Sequence, residues 1–446
     1  MSKNKRKYFG TDGIRGVAGV APLNPETLVR LGKALAITFR NDNKSKHRIL
    51  IGKDTRLSGY MIETALASGL TSMGMNVELV GPLPTPGIAY LTTSMRADAG
   101  IVISASHNPY EDNGIKVFGH DGYKLADEKE LEIEKLIESD DLIGQCTEAD
   151  AVGRYTVYLK SCFARDLSLK GLKVGFDCAN GAGYVVAGQT CRELGADVEV
   201  RGASPSGKNI NAGFGSLYPE IVKNLVLEQN LDIGVALDGD ADRALLVDEK
   251  GNLIDGDSIL TMAAIYLKKI GELPGNRVVA TVMSNIGLEK ALSKHDIKVV
   301  RANVGDRYVL EEMLKNGSML GGEQSGHTIF RKYATTGDGI LSGLKVMELM
   351  QREERPLSEL ASQFEKFPQK LINIKVNSKP ELNLVEGLTK IIETKEKELK
   401  EDGRVLVRYS GTENKARVMV ECSDEANCNK HAEDIAEVIE KAIGSV

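Results

Sequence analysis

Apolar residues recur at two alternating periods along this chain. Segments such as Glu26–Phe39 and Met61–Met75 carry them every three to four positions, which predicts amphipathic helices. Between these segments lie short apolar runs, such as Arg48–Ile51, Asn76–Val80 and Gly100–Ile103, which predict strands. Helices that alternate with strands indicate βαβ units around a parallel or mixed sheet.

The same alternation returns twice farther along the chain. A second round begins at Leu172–Phe176 and reaches Asp232–Leu237, and a third begins near Arg277–Met283 and closes around Ser318–Leu320. Each round takes about 100 to 150 residues, which is an ordinary domain size. We therefore expect three related α/β domains with mixed sheets.

The last stretch of the chain has a different pattern. Strand-like runs occur at Leu371–Val376, Arg404–Arg408 and Ala416–Glu421, and helical runs at Leu382–Leu399 and Ala426–Ile443. This pattern predicts a C-terminal α+β domain. The expected domains are residues 1–155, 156–257, 258–368 and 369–446.

The composition of the chain excludes some classes of binding partner and indicates the cellular compartment. The chain has 446 residues, with 57 basic against 63 acidic side chains and a net charge of −6, so it offers no general attraction for nucleic acid or an anionic membrane. The basic start runs into Tyr8–Gly13 with no apolar stretch of a signal peptide or a membrane span. The six cysteines form no C-x-x-C pair, which suits a reducing compartment. We expect a cytoplasmic protein.

A first loop with candidate catalytic residues follows the predicted strand Gly100–Ile103. Ligands of open α/β sheets bind at this end of the strands. Ser106 offers a hydroxyl nucleophile beside the imidazole of His107, in a turn that Pro109 stiffens. Lys116 lies ten residues farther on and adds a cation. Taken alone, such a segment is more often an ordinary polar turn.

A second loop places three carboxylates at alternate positions directly after an apolar strand. Asp238, Asp240 and Asp242 can converge on one hard cation and leave coordination positions open for a phosphate oxygen, as Mg²⁺ sites do. An EF-hand is one alternative, with Glu249 at its twelfth position. It fails because Arg243 replaces the glycine at the sixth position and because a strand precedes the loop. A solvated acidic turn is the other alternative.

Two later loops are rich in polar side chains. The first offers donors and acceptors that suit sugar hydroxyls or an amine, namely Glu323, Gln324, Ser325 and His327. The second resembles a phosphate cradle, because two guanidiniums bracket a Ser-Gly-Thr turn; its members are Arg408, Ser410, Gly411, Thr412 and Arg417. A plain turn and a plain hairpin are the respective alternatives.

Taken together and in this order, the four loops resemble those of the α-D-phosphohexomutase family over essentially the whole chain. The resemblance implies four domains around one central cleft, each of which contributes one loop. It also implies that Ser106 carries a phosphoryl group and helps to bind Mg²⁺ with Asp238, Asp240 and Asp242. Asn414 stands where the family commonly has proline, so the phosphate loop lacks the backbone restriction that a proline ring imposes there.

The resemblance assigns roles to the remaining residues. The catalytic set beside Ser106 is His107, Lys116, Arg15, Arg243 and His327. Lys116 and His327 are both candidates for proton transfer, and the sequence does not choose between them. The substrate-binding set is Glu323, Gln324, Ser325, Arg307, Arg408, Ser410, Gly411, Thr412 and Arg417. A hexosamine 1,6-bisphosphate is the expected primer and intermediate.

The substrate expectation depends on three segments. Tyr8–Gly16, Val304–Val309 and Gln324 are similar to the family branch that acts on glucosamine phosphates, in the supply of UDP-N-acetylglucosamine for cell walls. The mannose and glucose phosphate branch is the alternative. A catalytically silent binding protein on the same fold is a second one, but it should have lost Ser106 or an aspartate. A phosphosugar is the expected partner, and a homodimer is a candidate assembly.

Overall fold

The computed structural model of the protein describes residues 7–10, 12–40, 47–137, 146–148, 152–410 and 414–444. Its chain divides into two compact units. The first unit runs to Met283 and resumes at Ile297–Gln363, and the second comprises Ser284–Asp296 and Phe364–Val446.

Within the described ranges, the first sheet of the first unit has seven strands in the order β1-β2-β6-β5-β3-β4-β7. The strands β1 to β7 are Phe9–Gly10, Gly13–Val17, Arg48–Lys53, Asn76–Pro82, Ala99–Ile103, Asp112–Gly119 and Cys146–Glu148. The helices α1 to α4 are Pro25–Phe39, Ser58–Thr71, Thr85–Ser94 and Asp127–Leu136. Strand β3 runs parallel to β4 and β5, whereas β6 runs antiparallel to β5 and β2. The sheet is therefore mixed.

The periodic pattern explains the core of this sheet. Helix α1 starts at Pro25, whose fixed φ suits the first turn of a helix. It buries Leu28, Leu31 and Leu35, which lie three and four positions apart on one face. Helix α2 begins at Ser58 and ends at Thr71, earlier at both ends than the predicted Met61–Met75. It does not continue to Met75, because the chain turns at Gly74 with φ of 83°.

The second sheet, in the order β12-β11-β10-β8-β9, follows helix α5 (Val152–Cys162). The strands β8 to β12 are Lys173–Asp177, Asp197–Arg201, Ile233–Leu237, Ala244–Asp248 and Leu253–Ile254, and the helices α6 and α7 are Val186–Glu193 and Glu220–Gln229. Strand β10 is buried at every residue, which is why its sequence shows no alternation.

The third sheet, in the order β14-β13-β15-β16, completes the first unit. The strands β13 to β16 are Arg277–Thr281, Lys298–Ala302, Leu320–Gly322 and Thr328–Phe330. The helices α8 to α12 are Gly256–Lys269, Ile286–Ser293, Asp306–Asn316, Gly339–Glu353 and Leu357–Ala361. Helix α9 lies in the second unit, where Ile286 N donates to Glu421 Oε2 at 3.2 Å.

The second unit contains an antiparallel sheet in the order β17-β19-β18. Its strands β17 to β19 are Gln369–Lys375, Gly403–Tyr409 and Lys415–Cys422, and its helices α13 and α14 are Leu388–Leu399 and Glu425–Ile443. The expectation of one continuous helical run from Leu382 to Leu399 is wrong, because Leu382–Leu384 form a separate, short 3-10 helix. Gly387 adopts a left-handed φ of 77° and interrupts the helical path, so α13 starts at Leu388.

The predicted fold class is confirmed, with three mixed α/β sheets followed by an α+β C-terminal domain. The domain boundaries stay predictions. In the described part of the chain, no helix is long and apolar enough to cross a membrane.

Candidate active site

The Ser106 loop leaves strand β5 at its carboxyl end. Ser106 is buried and has a left-handed φ of 54°, a conformation that persists in a non-glycine residue only when the surroundings enforce it. Its hydroxyl donates to Asp238 Oδ2 at 2.8 Å and lies 3.3 Å from His107 Nδ1. The fold thus brings the loop predicted to carry phosphate against the loop predicted to bind metal.

Arg56 holds this loop in place, although the sequence analysis did not identify it. The fully buried guanidinium donates to the main-chain oxygens of Ser106 at 2.8 Å, Asn108 at 3.0 Å and Asp112 at 2.9 Å. Its Nε donates to Asp54 Oδ2 at 2.7 Å. Because a guanidinium supplies five donors in one plane, one side chain fixes several carbonyl oxygens at once.

The three aspartates follow β10 and are all buried. One carboxylate oxygen from each lies within 4.8 Å of the other two. Asp240 Oδ1 and Asp242 Oδ1 are buried and have no hydrogen-bond partner among the residues that the structure describes. Buried carboxylate oxygens without a partner are costly, so this group fits a bound cation, and three oxygen donors suit Mg²⁺.

The environments of these carboxyls differ. Burial, and then the charges of Asp242 and Asp240, raise the pKa of Asp238 well above its usual value. Burial also acts to raise the pKa of Asp242, but Lys116 and His327 outweigh it and hold that pKa well below the usual range. One of the three carboxyls therefore resists ionisation unless a further positive charge is present.

The acidic loop is not an EF-hand. Strand β10 precedes it and strand β11 follows it, whereas an EF-hand loop lies between two helices. Glu249, at the twelfth position, accepts from Ser358 N at 3.2 Å and does not join the aspartates.

Lys116 on strand β6 is the cation closest to the acidic loop. It is buried, and its Nζ lies 2.7 Å from Asp240 Oδ2, 3.7 Å from Asp242 Oδ2 and 3.6 Å from Asp12 Oδ2. Burial acts to lower the pKa of Lys116, but Asp12 and Asp240 raise it above its usual value. Lys116 is therefore an ammonium ion at neutral pH and acts as a hydrogen-bond donor.

Two arginines and one imidazole complete the surroundings of Ser106. Arg243 Nη1 lies 3.2 Å from His107 Nδ1. Arg15, on strand β2, donates to Ala105 O at 2.7 Å and to Asp12 Oδ2 at 2.6 Å. Burial, followed by the charges of Arg243 and Arg15, lowers the pKa of His107 to about 4. His107 is therefore neutral at pH 7, and its Nδ1 serves as an acceptor.

Three further charged residues, which the sequence analysis missed, link these groups to the third sheet. Lys124 donates to Asp12 Oδ1 at 2.8 Å and also to Asp306 Oδ2. Asp306 Oδ2 in turn lies 3.9 Å from His327 Nε2. Charges of opposite sign thus alternate from Lys116 through Asp12 and Lys124 to Asp306, whose carboxylate lies beside the His327 imidazole, and this series fixes elements of two sheets relative to each other.

The predicted sugar loop lies between β15 and β16. Glu323 Oε1 accepts from Gly305 N at 3.0 Å, and Glu323 Oε2 accepts from Ser325 Oγ at 3.1 Å. Gln324 Nε2 donates to Asp255 Oδ2 at 3.4 Å. These polar side chains are thus held in position by their neighbours.

His327 joins the sugar loop to the acidic loop. It is buried; its Nδ1 lies 3.5 Å from Asp242 Oδ2, and its Nε2 accepts from Gly337 N at 3.0 Å. The main-chain N–H of Ala244 also donates to Gly326 O at 3.1 Å. The acidic loop and the sugar loop are therefore fastened together by side-chain and main-chain contacts.

Arg307, at the start of α10, makes its described contacts with carboxylates outside these loops. It pairs with Asp127 and Glu130 of α4 and with Glu311 one helical turn away. It lines a groove of about 360 Å³ with Lys124. Its assignment to substrate binding stays a prediction.

The predicted phosphate loop lies in the second unit. Arg408 on β18 is paired in register with Arg417 on β19. Burial, and then the charge of Arg417, lower the pKa of Arg408. Ser410 is buried, and its carbonyl oxygen accepts from Lys379 Nζ at 2.7 Å. The predicted phosphate ligands Gly411 and Thr412 lie outside the described residues.

Comparison with known families matches four successive parts of the chain. Models of phosphoglucomutase/phosphomannomutase alpha/beta/alpha domains I, II and III match residues 6–143, 153–251 and 255–367, and the C-terminal domain of the same family matches residues 371–438. These matches follow the order of the four sheets.

Curated relatives align over nearly the full length. A phosphoglucosamine mutase of Syntrophotalea carbinolica is 54% identical and covers 99% of this chain and 98% of its own. A phosphoglucosamine mutase of Myxococcus xanthus is 53% identical and covers 98% of both chains.

Solved structures show the same fold at lower identity. A phosphoglucomutase/phosphomannomutase family protein from Burkholderia thailandensis superposes with a TM-score of 0.80 at 24% identity over 97% of each chain. The N-acetylphosphoglucosamine mutase of Aspergillus fumigatus, in complex with GlcNAc-6P and magnesium, gives a TM-score of 0.70 at 19% identity over 99% of this chain and 96% of its own.

Proposed function

This chain belongs to the phosphoglucomutase/phosphomannomutase family, and from that membership we propose that it interconverts glucosamine 6-phosphate and glucosamine 1-phosphate. The observation that carries the proposal is the 2.8 Å hydrogen bond from the buried Ser106 hydroxyl to Asp238 within the group of three aspartates. The names of the relatives that are 53% and 54% identical over nearly the whole chain support the choice of amino sugar.

The proposed reaction uses phosphorylated Ser106 as its starting state. In the first half, the bond between phosphorus and Ser106 Oγ breaks while a bond to the sugar O1 forms; the O1 hydroxyl releases its proton and Ser106 Oγ takes one up to become a hydroxyl. The product is the hexosamine 1,6-bisphosphate, which turns around in the site. In the second half, the Ser106 hydroxyl loses its proton as Oγ takes the phosphoryl group from O6, and O6 takes up a proton to give the 1-phosphate.

Asp238, Asp240, Asp242 and Ser106 are the residues proposed to hold Mg²⁺. When bound, the ion supplies positive charge that offsets the charge of the transferring phosphoryl group. Arg15, Lys116 and Arg243 add three protein cations at the same place, and neutral His107 accepts a hydrogen bond without adding charge.

Proton transfer is proposed for His327 and Lys116. Lys116 is an ammonium ion with a raised pKa and is therefore a weak acid, so its transfer of a proton to O6 would depend on the negative charge that develops on that oxygen. His327 is oriented by Asp242 and by the Gly337 N–H. Kinetic measurements on variants of His327 and Lys116 would show which of the two transfers the proton.

Substrate binding is proposed for two further groups of residues. Glu323, Gln324 and Ser325 offer acceptors for the amine and hydroxyls of the sugar, with Arg307 as an additional cation. Arg408, Ser410 and Arg417, with Gly411 and Thr412, would bind the phosphate that is not being transferred, because guanidiniums bind phosphate through paired hydrogen bonds.

The test compares kcat/KM for glucosamine, glucose and mannose 6-phosphates, with Mg²⁺ and one fixed concentration of a hexose 1,6-bisphosphate primer, and follows the products by phosphorus NMR. A site built for an ammonium group leaves polar atoms unpaired when a hydroxyl replaces it, at a cost of roughly 1 to 3 kcal/mol. We expect glucosamine 6-phosphate to be preferred by about ten-fold to a few hundred-fold. A ratio near unity against glucose 6-phosphate would assign the protein to the glucose and mannose branch instead.

The surroundings of the enzyme are part of the same proposal. We place it in the cytoplasm, where the five cysteines whose side chains are described, all of them buried and unbridged, would stay reduced. A homodimer is the proposed assembly, and light scattering of the purified protein tests it. Cell fractionation tests the location.

A further inference from the structure

The two carboxylate oxygens of Asp240 have different surroundings. Oδ2 accepts one hydrogen bond from Thr85 Oγ1 at 2.8 Å and another from Lys116 Nζ at 2.7 Å. Oδ1 is buried and has no hydrogen-bond partner within the part of the chain that the structure describes. Two donors therefore fix the orientation of the carboxylate and leave one oxygen available for a cation.

Thr85 is placed for this contact by its backbone. It is the first residue of helix α3, lies between Pro84 and Pro86, and is completely buried. The two proline rings restrict the local backbone angles. The N–H of Thr85 also donates to the carbonyl oxygen of Asp240 at 3.1 Å, so main chain and side chain both contact one residue that is 155 positions away.

Other buried threonines use their hydroxyls differently. Thr92 on the same helix donates to Ile88 O at 2.8 Å, and Thr190 on α6 donates to Val186 O at 2.7 Å. Both bonds run to the carbonyl four residues earlier, where a helical threonine ordinarily bonds. The hydroxyl of Thr85 instead reaches across to a carboxylate in the acidic loop of the second sheet.

We propose that Thr85 is a positioning residue for the metal ligand Asp240. This inference rests on the metal site of the proposed function and adds a residue to it. Thr85 and Lys116 both donate to Asp240 Oδ2. The hydroxyl of Thr85 is neutral, so, unlike the ammonium of Lys116, it adds no positive charge beside the bound metal ion. Partners of this kind fix the orientation of metal ligands, and their loss typically weakens metal binding about ten-fold to a hundred-fold.

The experiment measures Mn²⁺ binding to the full-length protein by electron paramagnetic resonance of the free ion. Mn²⁺ binds to the same oxygen ligands as Mg²⁺. The phosphorylation state of each protein is matched by intact-mass analysis. Thr85→Val removes the hydroxyl at nearly constant shape, and we expect its dissociation constant to rise about ten-fold to a hundred-fold. Thr85→Ser keeps the hydroxyl and should restore most of the affinity.

Thr92→Val is the matched control, because it makes the same change at a fully buried position of the same helix. It should lower the unfolding temperature about as much as Thr85→Val while it leaves Mn²⁺ binding unchanged. Equal weakening of Mn²⁺ binding by both valine variants would overturn the proposal, since the effect would then arise from general destabilisation.

Asp240→Asn separates this inference from the function on which it rests. If Asp240→Asn loses Mn²⁺ binding and Thr85→Val binds like wild type, the positioning role is refuted and the metal site stands. If Asp240→Asn also binds like wild type, the metal site itself is refuted, and the role of Thr85 falls with it.

Discussion

The charged groups around Ser106 and those on strands β18 and β19 are built in opposite ways. The serine–aspartate cluster, which comprises Ser106, Lys116, Asp238, Asp240 and Asp242, mixes charges of both signs at hydrogen-bond distance. The arginine pair, Arg408 and Arg417, places two like charges on residues that face each other across neighbouring strands.

The difference indicates what each region requires. Among the residues that the structure describes, the serine–aspartate cluster pairs most of its own polar atoms, and Asp240 Oδ1 and Asp242 Oδ1 have no hydrogen-bond partner. Like charges directly opposite each other in a sheet are destabilising, and guanidiniums bind anions such as phosphate through paired hydrogen bonds. The first region therefore favours a metal and a fixed nucleophile, and the second favours a phosphate from the substrate.

The largest effect should follow from removal of the nucleophile in the serine–aspartate cluster. Ser106→Ala is expected to abolish turnover, because no other hydroxyl takes its place as the phosphoryl carrier. Intact-mass analysis should find a phosphorylated fraction in the wild type and none in the variant. The control is Ser161→Ala on helix α5, which should keep both. Turnover by Ser106→Ala at the wild-type rate would disprove the covalent route.

Removal of one charge from the same cluster should have the next largest effect. Asp240→Asn is expected to lower kcat about 100- to 1000-fold and to weaken the dependence on Mg²⁺, because an amide does not replace the lost negative charge. The measurement is initial rate against Mg²⁺ concentration. Full activity of the wild type in excess chelator would contradict a metal-dependent cluster.

The free energy of unfolding should distinguish the surroundings of Ser106 from the arginine pair. Arg56→Met removes the buried guanidinium that pairs with Asp54 and donates to several loop carbonyls, and it should cost about 3 to 5 kcal/mol in the free energy of unfolding. Arg408→Met removes one of two like charges and should change that free energy by about 1 kcal/mol or less. Thermal and urea unfolding of both variants measures the contrast, and equal destabilisation would contradict it.

The pH dependence of unfolding tests the first region alone. Asp338 caps helix α11 beside the acidic loop, and burial raises its pKa to about 6. A folded pKa above the unfolded value gives stability that is complete below about pH 4 and is lost as the pH rises through about 6, by roughly 3 kcal/mol at most. Asp338→Asn should not show this loss. Parallel unfolding-temperature curves for variant and wild type between pH 4 and 7 would refute the shift.

The smallest effect is expected in the arginine pair. Arg408→Lys keeps the charge but loses the planar pair of donors, so KM should rise about ten-fold, which matches roughly 1.4 kcal/mol for one charge-assisted hydrogen bond. The rise should be equal for the 6-phosphate and the 1-phosphate, because each presents its phosphate to the same arginine. An increase in one direction only would contradict the placement of the non-transferred phosphate.

The sequence by itself determined the elements and the loops that follow them. Apolar periodicity located β5 and β10, and the residues after each strand identified Ser106 and the three aspartates. These features are local, because helix and strand periods and turn residues act over a few neighbouring positions. The helical pattern before Gly387 was misread, and helix α13 begins at Leu388 instead of Leu382.

Only the tertiary structure decided which distant side chains support those loops. Arg56 binds Ser106 across 50 positions, Thr85 binds Asp240 across 155, and Lys124 binds Asp306 across 182. No spacing rule in the sequence links such pairs, since their contact depends on how separate sheets pack. Packing likewise leaves Asp240 Oδ1 without a hydrogen-bond partner among the described residues. Strand register places Arg408 opposite Arg417, and the local sequence does not encode that register.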